Sequence, residues 1–176
     1  MQTTLVIGGT GNIGLPHTFI RPSFFMQNLS TTHLADIQQN RDLFIPAGSS
    51  KTSFIDTRDI GEAAAICLTD PQYIGQKLNI TGSEAITYQQ AAETMTAVLG
   101  TPITYSKPSL IKFHHEMRQR GLPRDYVNVM TMLYLITQLG NAKQVTETLP
   151  RILKRPSGTV AEFVADYRVV FLKEDH

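Results

Sequence analysis

Short apolar runs separated by glycine and proline fill the first half of the chain. Four of them predict β-strands, at residues 4–7, 17–20, 51–56 and 77–81. Apolar runs of this length, bounded by turn residues, are typical of strands in a parallel sheet that is covered on both faces. A helix is predicted between the second and third strands, starting at Ser23. Its apolar side is formed by Phe24, Phe25, Leu29 and either His33 or Leu34.

The second half of the chain has mainly helical spacing. Thr87 and Gln90 form a capping box that opens a helix ending at Gly100, because the threonine hydroxyl and the glutamine amide can satisfy free backbone groups reciprocally. A second capping box at Thr159 opens a final helix. Its apolar stripe is Val160, Phe163, Val164, Tyr167, Val170 and Phe171. Further helices are predicted at 109–120, 126–139 and 145–154, and a short strand at 103–105.

Strands and helices therefore alternate up to Gly82, and helices dominate after it. This order predicts an α/β fold with a parallel sheet, followed by a smaller and mainly helical C-terminal lobe. We place the boundary between the α/β portion at residues 1–83 and the mainly helical lobe at residues 84–176. Asp59 is interpreted as the N-cap of the helix that follows the third strand, with Glu62 three residues later.

A glycine-rich loop follows the first strand. Gly8, Gly11 and Gly14 fit the spacing G-x-x-G-x-x-G. In a dinucleotide-binding fingerprint, such glycines permit a sharp turn, a close backbone approach to pyrophosphate and tight helix–strand packing. Two features depart from that fingerprint. Pro16 follows the last glycine closely and interrupts the expected helix, and no acidic residue stands at the strand end where one would bind ribose.

Composition narrows the possible functions. The 176 residues carry 16 Lys and Arg against 15 Asp and Glu, so a formal net charge of +1 favours neither nucleic acid nor anionic membrane as a partner. The most apolar stretch, 126–139, is too short for a membrane span, and the N-terminus does not have the pattern of a secretion signal. With one cysteine, Cys67, an internal disulfide or a zinc site of the Cys₄ or Cys₂His₂ type is excluded, and a reducing cytoplasm fits.

Other candidate residues favour structural roles. Cys67 lies in an apolar run and is interpreted as a buried thiol. His114 and His115 are adjacent on a helix and diverge by about 100°, so no metal site is predicted there. A basic cluster is interpreted as surface rather than as an anion site. It consists of Lys112, Arg118, Arg120 and Arg124.

Three segments resemble the NmrA-like branch of the atypical short-chain dehydrogenases/reductases, which includes members similar to NAD(P)H:quinone reductases and to nucleoside-diphosphate-sugar epimerases. The first is the glycine loop, residues 5–14. The second, residues 14–29 (GLPHTFIRPSFFMQNL), is similar to the family's strand and helix. The third is FIDTRDIG at 54–61, followed by LNITG at 78–82 and AITY at 85–88. The resemblance extends from Gly14 to about Ser106 and is looser beyond it.

The resemblance implies a Rossmann-type fold that binds NADP or NAD, without deciding between them. It implies cofactor contacts from Gly8, Thr10, Gly11, Asn12, Ile13, Pro22, Phe24 and Phe25. Phe24 or Phe25 is expected to form a wall beside the nicotinamide, the alternative being that both are core residues. Asn28 is expected to contact substrate, and no catalytic residue is predicted.

The implied activity is hydride transfer from NAD(P)H to a small carbonyl or quinone, because the cofactor carries this chemistry. Two alternatives stay open: a non-catalytic NAD(P) sensor that signals through a partner surface, and a truncated interaction module. A Tyr-x-x-x-Lys pair would favour an enzyme. Tyr73 and Lys77 have that spacing, but Gly75 interrupts it and the position is not that of the family, so we interpret the segment as a turn.

The chain also departs from the family by lacking the strands and helices that normally separate the fingerprint from the GLPHTFIRP strand. Either this is an internal deletion, or the sequence joins pieces of a longer protein. In the first case we expect an incomplete sheet and poor cofactor affinity. The helix at 126–139 is apolar on nearly every face, and we expect part of it, or of the final stripe at 160–171, to be buried in a homodimer.

Overall fold

The computed structural model describes residues 4–7 and 16–172. The chain folds into two compact units, each made of segments that are not consecutive in the sequence. Unit 1 contains residues 1–27, 53–85 and 144–159, and unit 2 contains residues 28–52, 86–143 and 160–176. The predicted boundary at 83/84 lies two residues from one of these divisions. The segment 144–159, expected in the C-terminal lobe, belongs to unit 1.

Unit 1 contains a parallel three-stranded sheet. Its strands, in spatial order, are β1 (Thr4–Ile7), β2 (His17–Pro22) and β5 (Lys77–Ile80). The register places Ile7 opposite Ile20, and Pro22 opposite Ile80. The strands at 4–7, 17–20 and 77–81 are thus confirmed. Between β2 and β5 along the chain come β3 (Phe24–Phe25) and β4 (Lys51–Ile55), which also pair in parallel, with Phe24 opposite Phe54.

The helices of unit 1 pack their apolar side chains against those of the strands. They are α3 (Thr57–Thr69) and α7 (Thr148–Leu153), with a short 3-10 helix at Pro71–Tyr73. Their core is formed by Ile20, Ile55, Ile60, Ala63, Cys67, Leu78, Ile80, Leu149, Ile152 and Leu153. Because α3 and α7 also pack on each other, the segment 144–159 is held in this unit.

Unit 2 is built mainly from helices. They are α2 (Leu34–Asn40), α4 (Tyr88–Leu99), α5 (Leu110–Gln119), α6 (Arg124–Gln138), α8 (Val160–Asp166) and α9 (Arg168–Leu172). Packing joins α5 with α6, and α4 with α8. The division between the units also passes through three short elements: α1 (Gln27–Ser30), β4 and β6 (Ala85–Thr87).

Helix boundaries in unit 2 largely follow the capping residues. The capping box of Thr87 and Gln90 is present in full, and Gly100 ends α4 with φ +70°, a left-handed conformation that glycine adopts without strain. Ser109 caps α5 by accepting a hydrogen bond from the Lys112 amide. These boundaries confirm the sequence-based prediction.

Three predicted elements differ from the structure. The helix predicted from Ser23 is replaced by β3 and two short helices, because Phe24 and Phe25 pair with β4 instead of forming a helical face. The final helix is interrupted at Tyr167. Residues 103–105 form only an isolated bridge, from Thr104 to Asp42. Among the described residues, none of the helices has the length and hydropathy needed to cross a bilayer.

Candidate cofactor-binding site

The carboxyl ends of the three parallel strands of unit 1 lie at one edge of the sheet. β1 ends at Ile7, β2 at Pro22 and β5 at Ile80, and the register brings the last two opposite each other. In the sequence, Ile7 directly precedes Gly8, the first glycine of the glycine-rich sequence. In open α/β sheets, ligands bind outside the carboxyl ends of the strands.

Residues 22–27, which we call the carboxyl-edge segment, begin at the end of β2 and form hydrogen bonds with the last residues of β5 and β4. The Ser23 amide donates to the Ile80 carbonyl at 3.0 Å, and the Met26 amide donates to the Ile55 carbonyl at 2.9 Å. The Ser23 hydroxyl donates to the Ser53 carbonyl at 2.6 Å. The segment is therefore fixed by backbone hydrogen bonds to two neighbouring strands, which is what a rigid ligand-binding wall requires.

Gln27 and Asp56 hold the far end of the segment. The Gln27 amide nitrogen donates to Asp56 Oδ1 at 2.8 Å, and the Gln27 oxygen accepts from the Thr57 amide at 3.0 Å. Asp56 is buried and also accepts from the Arg58 side chain at 2.7 Å. Burial opposes ionisation of Asp56, but the hydrogen bonds from Arg58 and Gln27 outweigh it and lower its pKa.

Asp56, not Asp59, is the N-cap of α3. Its carboxylate accepts from the Arg58 amide, and α3 begins at Thr57. The predicted role of Asp59 is therefore wrong. Asp59 lies in the first helical turn, where its buried carboxylate accepts from Arg155 Nη2 and from the Gly158 amide, both at 2.8 Å. Sequence alone could not separate the two aspartates, since both precede suitable helix residues.

The chain directly after β5 is fixed by a close backbone contact at Gly82 and by a hydrogen bond between Thr81 and Thr146. A Cβ atom placed on Gly82 would lie 1.8 Å from the Phe54 carbonyl oxygen, so only glycine fits there. The Thr81 hydroxyl donates to the Gly82 carbonyl at 3.0 Å and accepts from the Thr146 amide at 2.9 Å. The loop at Thr146 is thereby attached to the carboxyl end of β5.

The structure separates the two predicted aromatic residues. Phe24 and Phe25 are both half-buried in β3, and successive strand residues point to opposite faces. Phe25 packs against the core of unit 1, whereas Phe24 is not part of that cluster. Pro22 is the last residue of β2, and Asn28 is half-buried in α1, where its carbonyl accepts from the His33 amide at 3.0 Å.

The remaining predicted cofactor contacts lie outside the described residues. These are Gly8, Thr10, Gly11, Asn12 and Ile13. Their cofactor role, like those of Pro22, Phe24, Phe25 and Asn28, stays a prediction. Sequence reasoning did not single out Gln27, Asp56, Thr81 or Thr146. The available signal was the Asp56-Thr57-Arg58 tripeptide directly after an apolar strand, which is a helix-capping pattern.

The surroundings of Cys67, Tyr73 and Lys77, which the sequence offered as chemical candidates, do not suit catalysis. Cys67 is fully buried in the core of unit 1, and burial raises the pKa of its thiol to about 11, which makes it a poor nucleophile. Tyr73 ends the 3-10 helix and packs on the same core, while Lys77 is exposed at the start of β5. Their elements differ from the single helix on which a Tyr-x-x-x-Lys pair would share a face.

Parallel strands that end beside a glycine-rich sequence define a Rossmann-type α/β protein, and comparison with solved structures agrees. The NADPH-dependent quinone oxidoreductase QOR2 of Escherichia coli, in complex with NADPH, superposes with a TM-score of 0.79 at 22% identity, over 87% of this chain and 54% of that one. NmrA, a negative transcriptional regulator in complex with NADP, gives a TM-score of 0.67 at 15% identity, over 92% of this chain and 55% of that one.

The sequence comparisons identify the family. The model of the NmrA-like family matches residues 11–163, and the chain belongs to this family. An NAD(P)H azoreductase of Xenophilus azovorans is 32% identical over 158 residues, which is 90% of this chain and 55% of the azoreductase. The chain thus spans about half the length of the curated relatives that it matches. The predicted family and α/β fold class are confirmed.

Proposed function

We propose that the protein binds NAD(P)H at the carboxyl edge of its parallel sheet and transfers hydride to a small carbonyl or quinone. One observation carries the proposal: β1 and β2 are parallel neighbours, so their carboxyl ends lie at the same edge of the sheet, and Ile7, the last residue of β1, directly precedes the glycine-rich sequence. A dinucleotide needs both a glycine loop for its pyrophosphate and a wall for its nicotinamide end.

The described residues fit such a ligand in shape and charge. Phe24, half-buried and outside the core cluster, offers an aromatic face at the edge. The buried carboxylates of Asp56 and Asp59 are paired with Arg58 and Arg155, so the negative charges of these two groups are balanced and would repel a pyrophosphate less. In this proposal, Gly8, Thr10, Gly11, Asn12 and Ile13 hold the phosphates, and Pro22 and Phe24 orient the nicotinamide.

When bound, the reduced nicotinamide supplies the hydride. The chain's own contribution is to position and shield it, because the hydrogen bonds of Ser23 and Gln27 fix the wall. The names of the azoreductase and of the quinone oxidoreductase support an acceptor of the quinone or related class. The choice between NAD and NADP stays open.

A second candidate function is NAD(P) sensing without turnover. The solved regulator NmrA binds NADP, and Tyr73 and Lys77 of this chain lie in elements that do not suit a catalytic pair. A sensor would bind the nucleotide with similar affinity but would not oxidise it in the presence of quinones. Turnover therefore separates the two candidates.

We further propose that the protein acts as a homodimer in the cytoplasm. Exposed apolar side chains line one side of α6, including Val129, Met132 and Leu133, each about half exposed. Water contact with this area is unfavourable, and a second copy can cover it. A buried free cysteine suits a reducing compartment.

Titration of the purified protein with NADPH and with NADH, followed by nucleotide fluorescence, tests the proposal. The intact mass of the same sample establishes which polypeptide is being measured. We expect saturable binding of at least one nucleotide, and oxidation of it when a small quinone is added. Absence of binding to both nucleotides at millimolar concentration would overturn the proposed function, and binding without oxidation would favour the sensor.

A further inference from the structure

An open cleft of about 510 Å³ lies in unit 2 along α5 and α6, whereas the proposed cofactor site belongs to the strand ends of unit 1. This volume is within the range of small-molecule sites in proteins. Its lining combines apolar, imidazole and guanidinium groups. The lining residues are Leu110, Ile111, His114, His115, Arg118 and Thr131.

The lining of the cleft is ordered along α5. Leu110 and Ile111 lie in the first turn, His114 and His115 follow one turn later, and Arg118 follows one turn after them. With a rise of 1.5 Å per residue, the backbone positions of Ile111 and Arg118 are about 10 Å apart along the helix axis. Ile111 is 84% exposed, which is unusual for an isoleucine and leaves a large apolar surface for a ligand to cover.

The polar end of the cleft has available hydrogen-bond donors. Within residues 16–172, the Arg118 side chain donates from Nη1 to the Leu122 carbonyl. A guanidinium has five N–H donors, so most of them can face a ligand. Arg120 is different, because it is engaged by Asp36 at 2.8 Å and by Glu116 at 3.1 Å. His114 is held in place by Asn128, with 2.9 Å between Nε2 and Oδ1.

We propose that this cleft binds an organic anion with an apolar body, such as an aryl carboxylate or sulfonate. The anionic group pairs with Arg118, whose planar fork matches two oxygens, with His115 beside it. The apolar body covers Leu110 and Ile111. A neutral apolar ligand would contact only the apolar end at Leu110 and Ile111, and a small inorganic anion would contact only the polar end at Arg118.

Two fluorescent probes of nearly the same shape test the charge requirement. Anilinonaphthalenesulfonate carries the anionic group, and N-phenylnaphthylamine has the same aromatic body without it. In Arg118→Gln we expect the affinity for the sulfonate to fall by about tenfold, because a hydrogen bond to a charged group is lost, while the affinity for the neutral probe is unchanged. Arg124→Gln, an exposed arginine of α6 outside the lining, is the matched control and should bind both probes as the wild type does.

A second pair of variants tests the apolar wall. Ile111→Ser should weaken binding of both probes, whereas Leu68→Ser, which alters an exposed apolar residue of α3 outside the lining, should weaken neither. These side chains are exposed, so we expect all four variants to fold. The proposal is overturned if Arg118→Gln binds the sulfonate like the wild type, or if Leu68→Ser lowers its affinity and Ile111→Ser does not.

Discussion

His33 is a buried titratable side chain of unit 2. Its Nε2 atom lies 2.7 Å from the hydroxyl of Tyr134, and the residue is 4% exposed. Burial lowers the pKa of His33 to about 4, and the negative charge of Asp36 opposes this shift only in part. Asp36 is itself paired with Arg120. His33 is therefore neutral in the folded protein at physiological pH.

The free energy of unfolding should decrease as the pH falls from about 6.5 to about 4. In this window the unfolded chain binds a proton at His33 that the folded chain excludes, and the full difference amounts to about 3 kcal/mol. Urea unfolding of the wild type and of His33→Gln at several pH values measures it. The His33→Gln variant should lose this part of the pH dependence. The control is His115→Gln, which replaces an exposed histidine and should retain the pH dependence that comes from His33. Equal pH dependence in His33→Gln and the wild type would contradict the assignment.

Gly11 carries the most specific prediction about the cofactor. In the proposed binding mode, Gly11 is where the backbone comes closest to the pyrophosphate, and a side chain at this position would collide with it. Gly11→Val should weaken NAD(P)H binding by about tenfold or more, with the melting temperature nearly unchanged, as judged by fluorescence titration and thermal unfolding. Equal affinity in variant and wild type would mean that the loop does not hold the phosphates.

At the scale of elements, two glycines of unit 1 should respond oppositely to the same substitution. Gly82→Ala would place a methyl group against the Phe54 carbonyl, and the backbone at the end of β5 must shift. Gly61 lies in α3, and a methyl group there meets nothing within 4 Å. We expect Gly82→Ala to destabilise by about 2 kcal/mol or more.

Gly61→Ala is the matched control and should stabilise by about 0.5–1 kcal/mol, since alanine loses less backbone entropy in a helix. Urea unfolding measures both changes. If Gly82→Ala were as stable as the wild type, the close approach of the two backbones would be incorrect. The sequence alone does not predict which of the two glycines tolerates alanine, because this depends on which backbone segment lies beside each of them.

Element boundaries were predictable where a local signal decides them. The capping box at Thr87 and the glycine at residue 100 act within one turn, so α4 was predicted almost to the residue. Phe24 and Phe25 form a strand because a partner is available in β4, about thirty residues away. Their local pattern is equally compatible with a helix, and pairing with β4 decides between the two.

At the scale of the whole molecule, the exposed side of α6 is the surface that we expect to mediate dimer formation. Leu133→Glu should shift the protein toward monomer or aggregate, because burying an unpaired carboxylate in an apolar interface is unfavourable. Sedimentation velocity at micromolar concentration measures the assembly state. Leu68→Glu, at an exposed leucine of α3 in unit 1, is the control and should leave the dimer intact. A wild-type chain that stays monomeric at high concentration would refute the dimer.

The local sequence determined the strands at 4–7, 17–20 and 77–81, the capped helices and the position of the glycine-rich loop directly after a strand. These follow from periodicity, capping and backbone preferences, which act over a few residues. The family resemblance rests on the same short segments, and the match to residues 11–163 agrees with it.

Tertiary structure decided which distant segments meet. It selected Asp56 over Asp59 as the cap of α3, and it placed the loop of Thr146 against Thr81. It also assigned 144–159 to the unit of the parallel sheet, and it aligned Leu110, His114 and Arg118 along one cleft. Each of these outcomes depends on burial and hydrogen bonds between residues far apart in the chain, and short-range sequence patterns do not encode such contacts.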